Sequence, residues 1–224
     1  MTSPGRGRFI TLEGGEGAGK STQARRLVAA LSACGVAAIA TREPGGSPRA
    51  EEIRAVLLSG AAERLSPVAE TLLFAAARAD HLDKTIRPAL ARGAWVVCDR
   101  FADSTRAYQG ALGGVPDDTL SAVERIAVGD TRPDLTLVLD LAAETGLARA
   151  AARRGQGEVD RFEQESLGFH QALRQAFLRI AAAEPARCAV VDASGSEDAV
   201  AAAIWAEVAR RLRPSADAVA ARSA

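Results

Sequence analysis

Short apolar runs alternate along the chain with longer segments rich in Ala, Leu and Arg. Several of the short runs are nearly continuous in apolar residues, as expected for strands that helices cover on both faces. The runs that predict strands are Phe9–Glu13, Val36–Thr41, Trp95–Asp99, Leu135–Leu141 and Ala189–Asp192. Strands that alternate with helices are typical of an α/β fold, so we predict a five-stranded parallel sheet flanked by helices.

The longer segments have the length and apolar spacing of helices. They predict helices at Lys20–Ala33, Pro48–Ser59, Pro67–Ala91, Asp117–Val128, Glu144–Arg154, Gln164–Glu184 and Glu197–Leu212. Helix-breaking glycines favour a mobile loop over Arg153–Asp160. Ser215–Ala224 follows a proline and is expected to be a frayed tail. We expect the two histidines, His81 and His170, on helix surfaces.

Composition narrows the class of protein. With 28 Lys plus Arg and 28 Asp plus Glu the formal net charge is zero, which argues against a broad basic face for nucleic acid. The N-terminus lacks a signal-peptide core, and Leu27–Thr41, the longest uncharged stretch, is too short to span a membrane. Cys34, Cys98 and Cys188 lie far apart, as suits a reducing compartment. We therefore expect one cytoplasmic domain over residues 1–224, with no nucleic-acid or membrane partner.

A phosphate-binding loop follows the first predicted strand. The segment Gly14–Ser21 fits the pattern G-x-x-x-x-G-K-[ST] and opens a predicted helix. Glycines let backbone N–H groups surround phosphate oxygens, and the helix N-terminus adds positive potential. Lys20 is expected to bridge the β- and γ-phosphates, and the Ser21 hydroxyl to bind Mg²⁺. The predicted nucleotide-binding residues are Gly14, Gly15, Glu16, Gly17, Ala18, Gly19, Lys20, Ser21 and Thr22.

Such a loop serves several classes of protein. Guanine-specific switches read their base with an Asn-Lys-x-Asp motif, and this chain contains no Asn. Small-molecule kinases and ATPases that act on a protein partner remain open on the loop alone.

Asp99 and Arg100 stand at the end of the third predicted strand. In open α/β sheets, ligands bind at the carboxyl ends of the strands. We therefore expect Asp99 to hold Mg²⁺ through water and Arg100 to face a phosphate.

Five blocks of sequence resemble the thymidylate kinases of bacteria in order and spacing. They are Phe9–Thr22, Thr41–Gly46, Leu73–His81, Asp99–Gly110 and Asp160–Glu165, within a resemblance that covers roughly residues 8–213. The resemblance implies a P-loop kinase fold with a mobile lid. It also implies transfer of the γ-phosphoryl of ATP to dTMP, giving dTDP, with Mg²⁺, and a homodimer.

The resemblance assigns an acceptor pocket. Phe74 would stack on thymine, and Arg78 would donate to its O4, which disfavours cytosine. Tyr108 would crowd the 2′ position and so favour deoxyribose. Ser104, Thr105 and Gln109 would complete the base and sugar contacts.

The resemblance also implies roles for charged residues. Arg54 and Arg100 would hold the acceptor phosphate as bidentate donors. Glu43 is implied as a carboxylate near the magnesium or the acceptor, and Glu16 as one near the 3′-hydroxyl or a metal-bound water.

The lid, at about residues 149–163, would supply arginines to the transferring group, because Gly15–Ala18 contains no cation. The candidates are Arg149, Arg153, Arg154 and Arg161. Arg153 joins Lys20, Asp99 and Arg100 as a predicted catalytic residue, whereas Arg149 could instead lie nearer the adenine. Which lid arginine contacts the phosphoryl group stays open, as does dTMP against dUMP. A kinase of another deoxynucleoside monophosphate and an ATPase with a protein partner are the alternative functions.

Overall fold

Parallel strands form the central sheet in this computed structural model, which describes residues 6–59, 65–154, 162 and 164–214. The described strands are β1 (Phe9–Glu13), β2 (Ala38–Arg42), β3 (Trp95–Asp99), β4 (Leu135–Asp140) and β5 (Cys188–Asp192). Their order is β2-β3-β1-β4-β5 and every pairing is parallel. The phosphate-binding loop therefore leaves the central strand, with the ends of β3 and β4 on either side.

Helices connect the strands. They are α1 (Lys20–Ala33), α2 (Pro48–Leu58), α3 (Pro67–His81), α4 (Arg87–Ala91), α5 (Ala102–Thr105), α6 (Asp117–Ala127), α7 (Ala143–Arg154), α8 (Leu167–Ala183) and α9 (Glu197–Leu212). Two π-helical segments, Leu82–Ile86 and Arg106–Leu112, continue α3 and α5. The hydroxyls of Ser66, Ser166 and Ser196 accept hydrogen bonds from the first turns of α3, α8 and α9, which satisfies backbone donors that a helix start leaves open.

Both faces of the sheet are covered. On one face, apolar side chains of α1 and α9 pack on the strands around the fully buried Leu31, Leu137 and Val208. The other face is covered partly by the segment that follows α3, with Leu82 and Ile86 in its core, and partly by α8. Burial on both faces explains why the strands read as continuous apolar runs. None of the helices described here is both long and apolar enough to span a lipid bilayer.

The predicted fold class is confirmed; β1 and β3 have the predicted bounds, and the ends of the other strands differ from prediction by at most two residues. The helix predicted over Pro67–Ala91 is α3, a π-helical turn and α4 in succession. The prediction lacked the helical segment Ala102–Leu112, whose length and π-helical geometry hide the usual 3.6-residue period. Of the loop predicted over Arg153–Asp160, the first two residues end α7, and the others lie outside the described residues. The tail Ser215–Ala224 also lies outside them.

Candidate active site

The phosphate-binding loop links the end of β1 to the start of α1. The loop is tightly packed against α7: a side chain on Gly17, whose φ is +67°, would overlap the carbonyl oxygen of Gly146. A side chain on Gly146 would in turn overlap the carbonyl oxygen of Glu16. Only glycine allows the two backbones to approach this closely. Residue 146 of α7 therefore determines where the loop lies.

Lys20 begins α1 and is buried beneath the loop. Its Nζ donates hydrogen bonds to the carbonyl oxygens of Gly14, at 3.1 Å, and Gly15, at 2.7 Å. Burial lowers the pKa of Lys20, the neighbouring Arg100 lowers it further, and Glu16 acts against the shift. The ammonium group thus lies where a phosphate bound in the loop would reach it.

Ser21 and Asp99 meet at the mouth of the loop. The Ser21 hydroxyl donates a hydrogen bond to Asp99 Oδ2, although the two residues are distant in sequence. Asp99 ends β3, and Ser21 lies in the first turn of α1. A hydroxyl and a carboxylate oxygen are ligands that Mg²⁺ accepts, so this pair fits the predicted metal position.

Arg100 joins the loop to the β3 side of the site. Its backbone has φ +67°, and its Nη2 pairs with the carboxylate of Glu16. Its Nη1 donates to Gly14 O and to Ser104 Oγ, each at 3.3 Å, and its guanidinium lies 5.2 Å from the centre of the Tyr108 ring. The strained backbone at Arg100 is thus held by contacts from several elements.

Glu16 is held ionised inside the loop. Burial on its own would raise the pKa of Glu16, but Arg100 and then Lys20 outweigh burial and lower the pKa to about 2. The Tyr108 hydroxyl also donates to Glu16 Oε1, at 3.2 Å. A carboxylate among phosphate-binding groups is therefore neutralised by cations on both sides.

Glu13 lies fully buried under the turn that follows Arg100. Its Oε1 accepts hydrogen bonds from the backbone N–H groups of Phe101, at 2.8 Å, and Ser104, at 3.3 Å, while the Ser104 hydroxyl donates to Oε2 at 2.7 Å. Burial raises the pKa of Glu13 to about 7, and the nearby Asp103 adds to the rise. Glu13 thus anchors the start of α5 to the central strand.

Arg78 is buried among the residues predicted to bind the acceptor. Its Nε donates to Glu43 Oε2 at 2.7 Å, and its Nη2 donates to Phe101 O and Thr105 Oγ1, both at 3.1 Å. Phe74, one turn earlier on α3, is half-buried and lines the same space. An aromatic face and a fixed guanidinium can together bind a flat ring that carries an acceptor atom.

The residues predicted for the donor and for the acceptor line one cavity of about 420 Å³. Glu43, Arg54 and Arg153 line it as well, and the Arg54 Nη1 donates to Pro44 O at 2.7 Å. The other predicted site residues that line it are Glu16, Gly17, Gly19, Lys20, Ser21, Thr22, Phe74, Arg78, Asp99, Arg100, Ser104, Thr105, Tyr108 and Gln109. The predicted acceptor residues thus share one space with the phosphate-binding loop.

Four predicted site residues do not line this cavity: Gly14, Gly15, Ala18 and Arg149. The Arg149 side chain donates to the carbonyl oxygens of Ala193, at 2.9 Å, and Ser194, at 3.0 Å. It therefore lies beside the loop after β5. Arg153 lies on the exposed surface of α7, and Arg161 lies outside the described residues.

Known proteins of similar sequence and structure form one group. Residues 12–204 match the family model described as thymidylate kinase. The chain is 58% identical to the thymidylate kinase of Bradyrhizobium diazoefficiens over 213 residues, which cover 95% of this chain and 93% of that protein. It is 60% identical to the thymidylate kinase of Nitrobacter winogradskyi over 90% of this chain and 87% of that protein. The chain belongs to the thymidylate kinase family.

A solved structure agrees with this membership. The crystal structure of thymidylate kinase from Ehrlichia chaffeensis is 30% identical in sequence and matches with a TM-score of 0.73, over 92% of this chain and all of that chain. The sheet and loop described above are therefore those of a thymidylate kinase.

The prediction that both histidines lie on helix surfaces is wrong. His81 is fully buried and His170 is 3% exposed, so neither lies on a helix surface. His81 is buried because its Nδ1 lies 3.0 Å from Glu43 Oε1, a polar partner far away in sequence. His170 packs on α8 beside Phe169.

Sequence reasoning did not identify the roles of three residues of the site: Glu13, His81 and Gly146. The partners of Glu13 and His81 are distant in sequence, and no local pattern marks them. Gly146 does leave a signal, because glycine inside a helix costs about 1 kcal/mol relative to alanine and implies a packing reason.

We expect Gly146→Ala to weaken ATP binding, because the new methyl group would push the phosphate-binding loop away from α7. Overpacking of this kind typically costs about 1–3 kcal/mol, which corresponds to a rise in the Kd for ATP of roughly fivefold to a hundredfold. Calorimetric titration measures that Kd. Gly168→Ala is the matched control, since this exposed glycine of α8 has its nearest atom at 3.8 Å from an added methyl group. Equal ATP affinity in the two variants would contradict the expectation.

A second prediction concerns pH. Because the pKa of Glu13 is raised from 4.5 to about 7, the folded protein holds a proton there that the unfolded chain has lost. The contribution of Glu13 to the free energy of unfolding therefore falls as pH rises from about 5 to 7, by at most about 1.4 kcal/mol per pH unit. Urea unfolding measures the free energy of unfolding of the parent and of Glu13→Gln at several pH values across this window. We expect this free energy to fall more steeply with rising pH in the parent than in Glu13→Gln. An equal pH dependence in the two proteins would show that Glu13 does not titrate there.

Proposed function

We propose that the chain transfers the γ-phosphoryl group of ATP to dTMP, giving dTDP for the synthesis of dTTP. Membership of the thymidylate kinase family supports this reaction. The observation that carries it is the single cavity lined by both Lys20 of the phosphate-binding loop and the pair Phe74 and Arg78.

The donor nucleotide would occupy the loop Gly14–Thr22, whose backbone N–H groups suit phosphate oxygens. Lys20 would move from the carbonyl oxygens it now contacts to the β- and γ-phosphates. Ser21 and Asp99 would hold Mg²⁺, which when bound neutralises charge on the phosphates. Arg149, already fixed beside Ala193 and Ser194, would lie at the adenine side.

The acceptor would lie across the cavity with its phosphate toward Arg54 and Arg100. Phe74 would stack on the base, and Arg78, Thr105 and Gln109 would contact its polar edge. Tyr108 would lie against the sugar, beside Ser104 and Glu16.

The reaction would need little covalent help from the protein. A phosphate oxygen of dTMP is already an anionic nucleophile, so positioning and charge neutralisation supply most of the catalysis. Lys20, Arg100 and Arg153 would stabilise the charge spread over the transferring group. Closure of the lid at about residues 149–163 would exclude water and limit wasteful hydrolysis of ATP.

The domain organisation and the cellular compartment are also proposals. We propose a single domain over residues 1–224 that works in the cytoplasm. Cys34, Cys98 and Cys188 are free thiols, which supports a reducing compartment. The zero formal net charge supports a small-molecule acceptor rather than nucleic acid.

The test of the reaction is ADP production from Mg·ATP with dTMP, dUMP, dCMP, dGMP, AMP or shikimate as acceptor. We expect strong turnover with dTMP, weaker turnover with dUMP and negligible turnover with the others. The margin over dUMP should be small, because burying one methyl group contributes only about 0.8 kcal/mol, or somewhat more. Equal ADP release with every acceptor, or ADP release in the absence of any acceptor, would instead indicate an ATPase. Preference for another deoxynucleotide would indicate a different monophosphate kinase.

We propose that the protein is a homodimer through α2, α3 and α6. These helices pack side by side and expose Val56, Val68, Leu72 and Ile126, of which Ile126 is 82% exposed. Large apolar side chains exposed on neighbouring elements mark an interaction surface, and a second copy of the same face would cover them.

We expect Ile126→Glu to shift the protein from dimer to monomer, because a charge at a self-complementary interface is buried twice. Sedimentation velocity at a series of concentrations measures the change. Val190→Glu is the control, since Val190 is also exposed but lies on the edge strand β5. A parent protein that is monomeric at all concentrations would overturn the proposed dimer.

A further inference from the structure

The guanidinium of Arg78 is fixed by all but one of its nitrogens. Its Nε–H is donated to Glu43, and the two N–H groups of Nη2 are donated to Phe101 O and Thr105 Oγ1. Within the described part of the chain, Nη1 makes no such bond, and Arg78 lines the cavity. Arginine has five N–H donors and no acceptor. Arg78 therefore presents only donors to a ligand.

Glu43 holds Arg78 in this position. Its carboxylate is 4% exposed and accepts from Arg78 Nε with Oε2 and from His81 Nδ1 with Oε1. Its own backbone N–H donates to Asp99 O at 2.9 Å, which ties Glu43 to the end of β3. Both carboxylate oxygens are thus engaged by protein groups.

His81 fixes the far side of Glu43. Because a carboxylate only accepts hydrogen bonds, the Nδ1 of His81 is protonated, and its N–H donates a hydrogen bond to Glu43 Oε1 at 3.0 Å. The Nε2 lies 2.7 Å from Thr41 Oγ1. The imidazole is fully buried, and a side chain on Gly46 would collide with both His81 and Thr41. Gly46 thus packs directly against the buried ring.

We propose that His81 and Glu43 are positioning residues that aim the Nη1 donors of Arg78 at the acceptor base, and so set its selectivity for a carbonyl over an amino group at C4. The proposal rests on the proposed function. Without His81, Oε1 of Glu43 loses its partner, and the carboxylate and Arg78 can rotate together. The donors would then lose their alignment with a carbonyl oxygen, while the phosphate-binding loop would stay unchanged.

The test compares His81→Leu with His81→Asn. Leucine removes the donor to Glu43, whereas the asparagine amide can place an N–H near the position of Nδ1. Asp80→Asn is the matched control, since Asp80 lies next to His81 on α3 but accepts its hydrogen bond from Ser47, at 2.6 Å. The measurements are calorimetric Kd values for dTMP, dCMP and ATP, with kcat and KM for dTMP.

For His81→Leu we expect about a tenfold rise in both the Kd and the KM for dTMP, since a buried hydrogen bond to a charged group is lost. The Kd for ATP should change less than about twofold and kcat less than about threefold, because the donor side is not involved. The preference for dTMP over dCMP in binding should fall about tenfold. His81→Asn should recover most of the dTMP affinity, and Asp80→Asn should match the parent.

Three results would overturn the inference. They are unchanged dTMP binding in His81→Leu, equal losses for dTMP and ATP, and no recovery in His81→Asn. Should His81→Leu fail to fold, Thr41→Val removes the hydroxyl beside Nε2 and should raise the Kd for dTMP about threefold without affecting ATP; an unchanged Kd would count against the proposal. A parent protein that does not phosphorylate dTMP at all would instead overturn the proposed function.

Discussion

Buried guanidinium groups need carboxylates beside them, and the site is built around that requirement. A charge taken out of water is costly unless a counter-charge and hydrogen bonds replace the water. Arg100 pairs with Glu16 of the phosphate-binding loop, and Arg78 pairs with Glu43 beyond β2. Each pair joins two elements that meet at the carboxyl end of the sheet. The same ion pairs therefore neutralise buried charge and link the phosphate-binding loop, α3 and the ends of β2 and β3.

The order of the strands makes these pairs possible. Because β3 lies between β1 and β2, Asp99 is in register with Leu12 on one side and with Arg42 on the other. The residues just beyond these positions are the phosphate-binding loop, Arg100 and Glu43. Parallel strands end at one edge of the sheet, so three segments that are distant in sequence converge there. The topology thus places the phosphate-binding loop next to the predicted acceptor residues without any long-range motif in the sequence.

Residues with strong local patterns could be predicted from the sequence, and Arg78 and Glu43 were assigned through the family resemblance. The roles of Glu13 and His81, which depend on distant partners, could not be predicted. The strands stand out because both of their faces are apolar, and the loop stands out because phosphate binding demands glycine and lysine at fixed spacing. His81 was misplaced because a histidine on a helix is usually exposed, and nothing near it in sequence reveals Glu43. The π-helical segment Arg106–Leu112 was missed because its period is not that of an α-helix.

The predicted acceptor residues also depend on an ion pair outside the cavity. Ser104, Thr105 and Tyr108 lie on one short helical segment, which Asp103 anchors in addition to Glu13. The Asp103 carboxylate accepts two hydrogen bonds from the Arg187 side chain, at 2.7 and 2.8 Å, just before β5 begins. Breaking one side of a buried pair costs about 3–5 kcal/mol, more than most single ligand contacts contribute. The positions of Ser104, Thr105 and Tyr108 therefore depend on a pair, Asp103 and Arg187, that does not line the cavity.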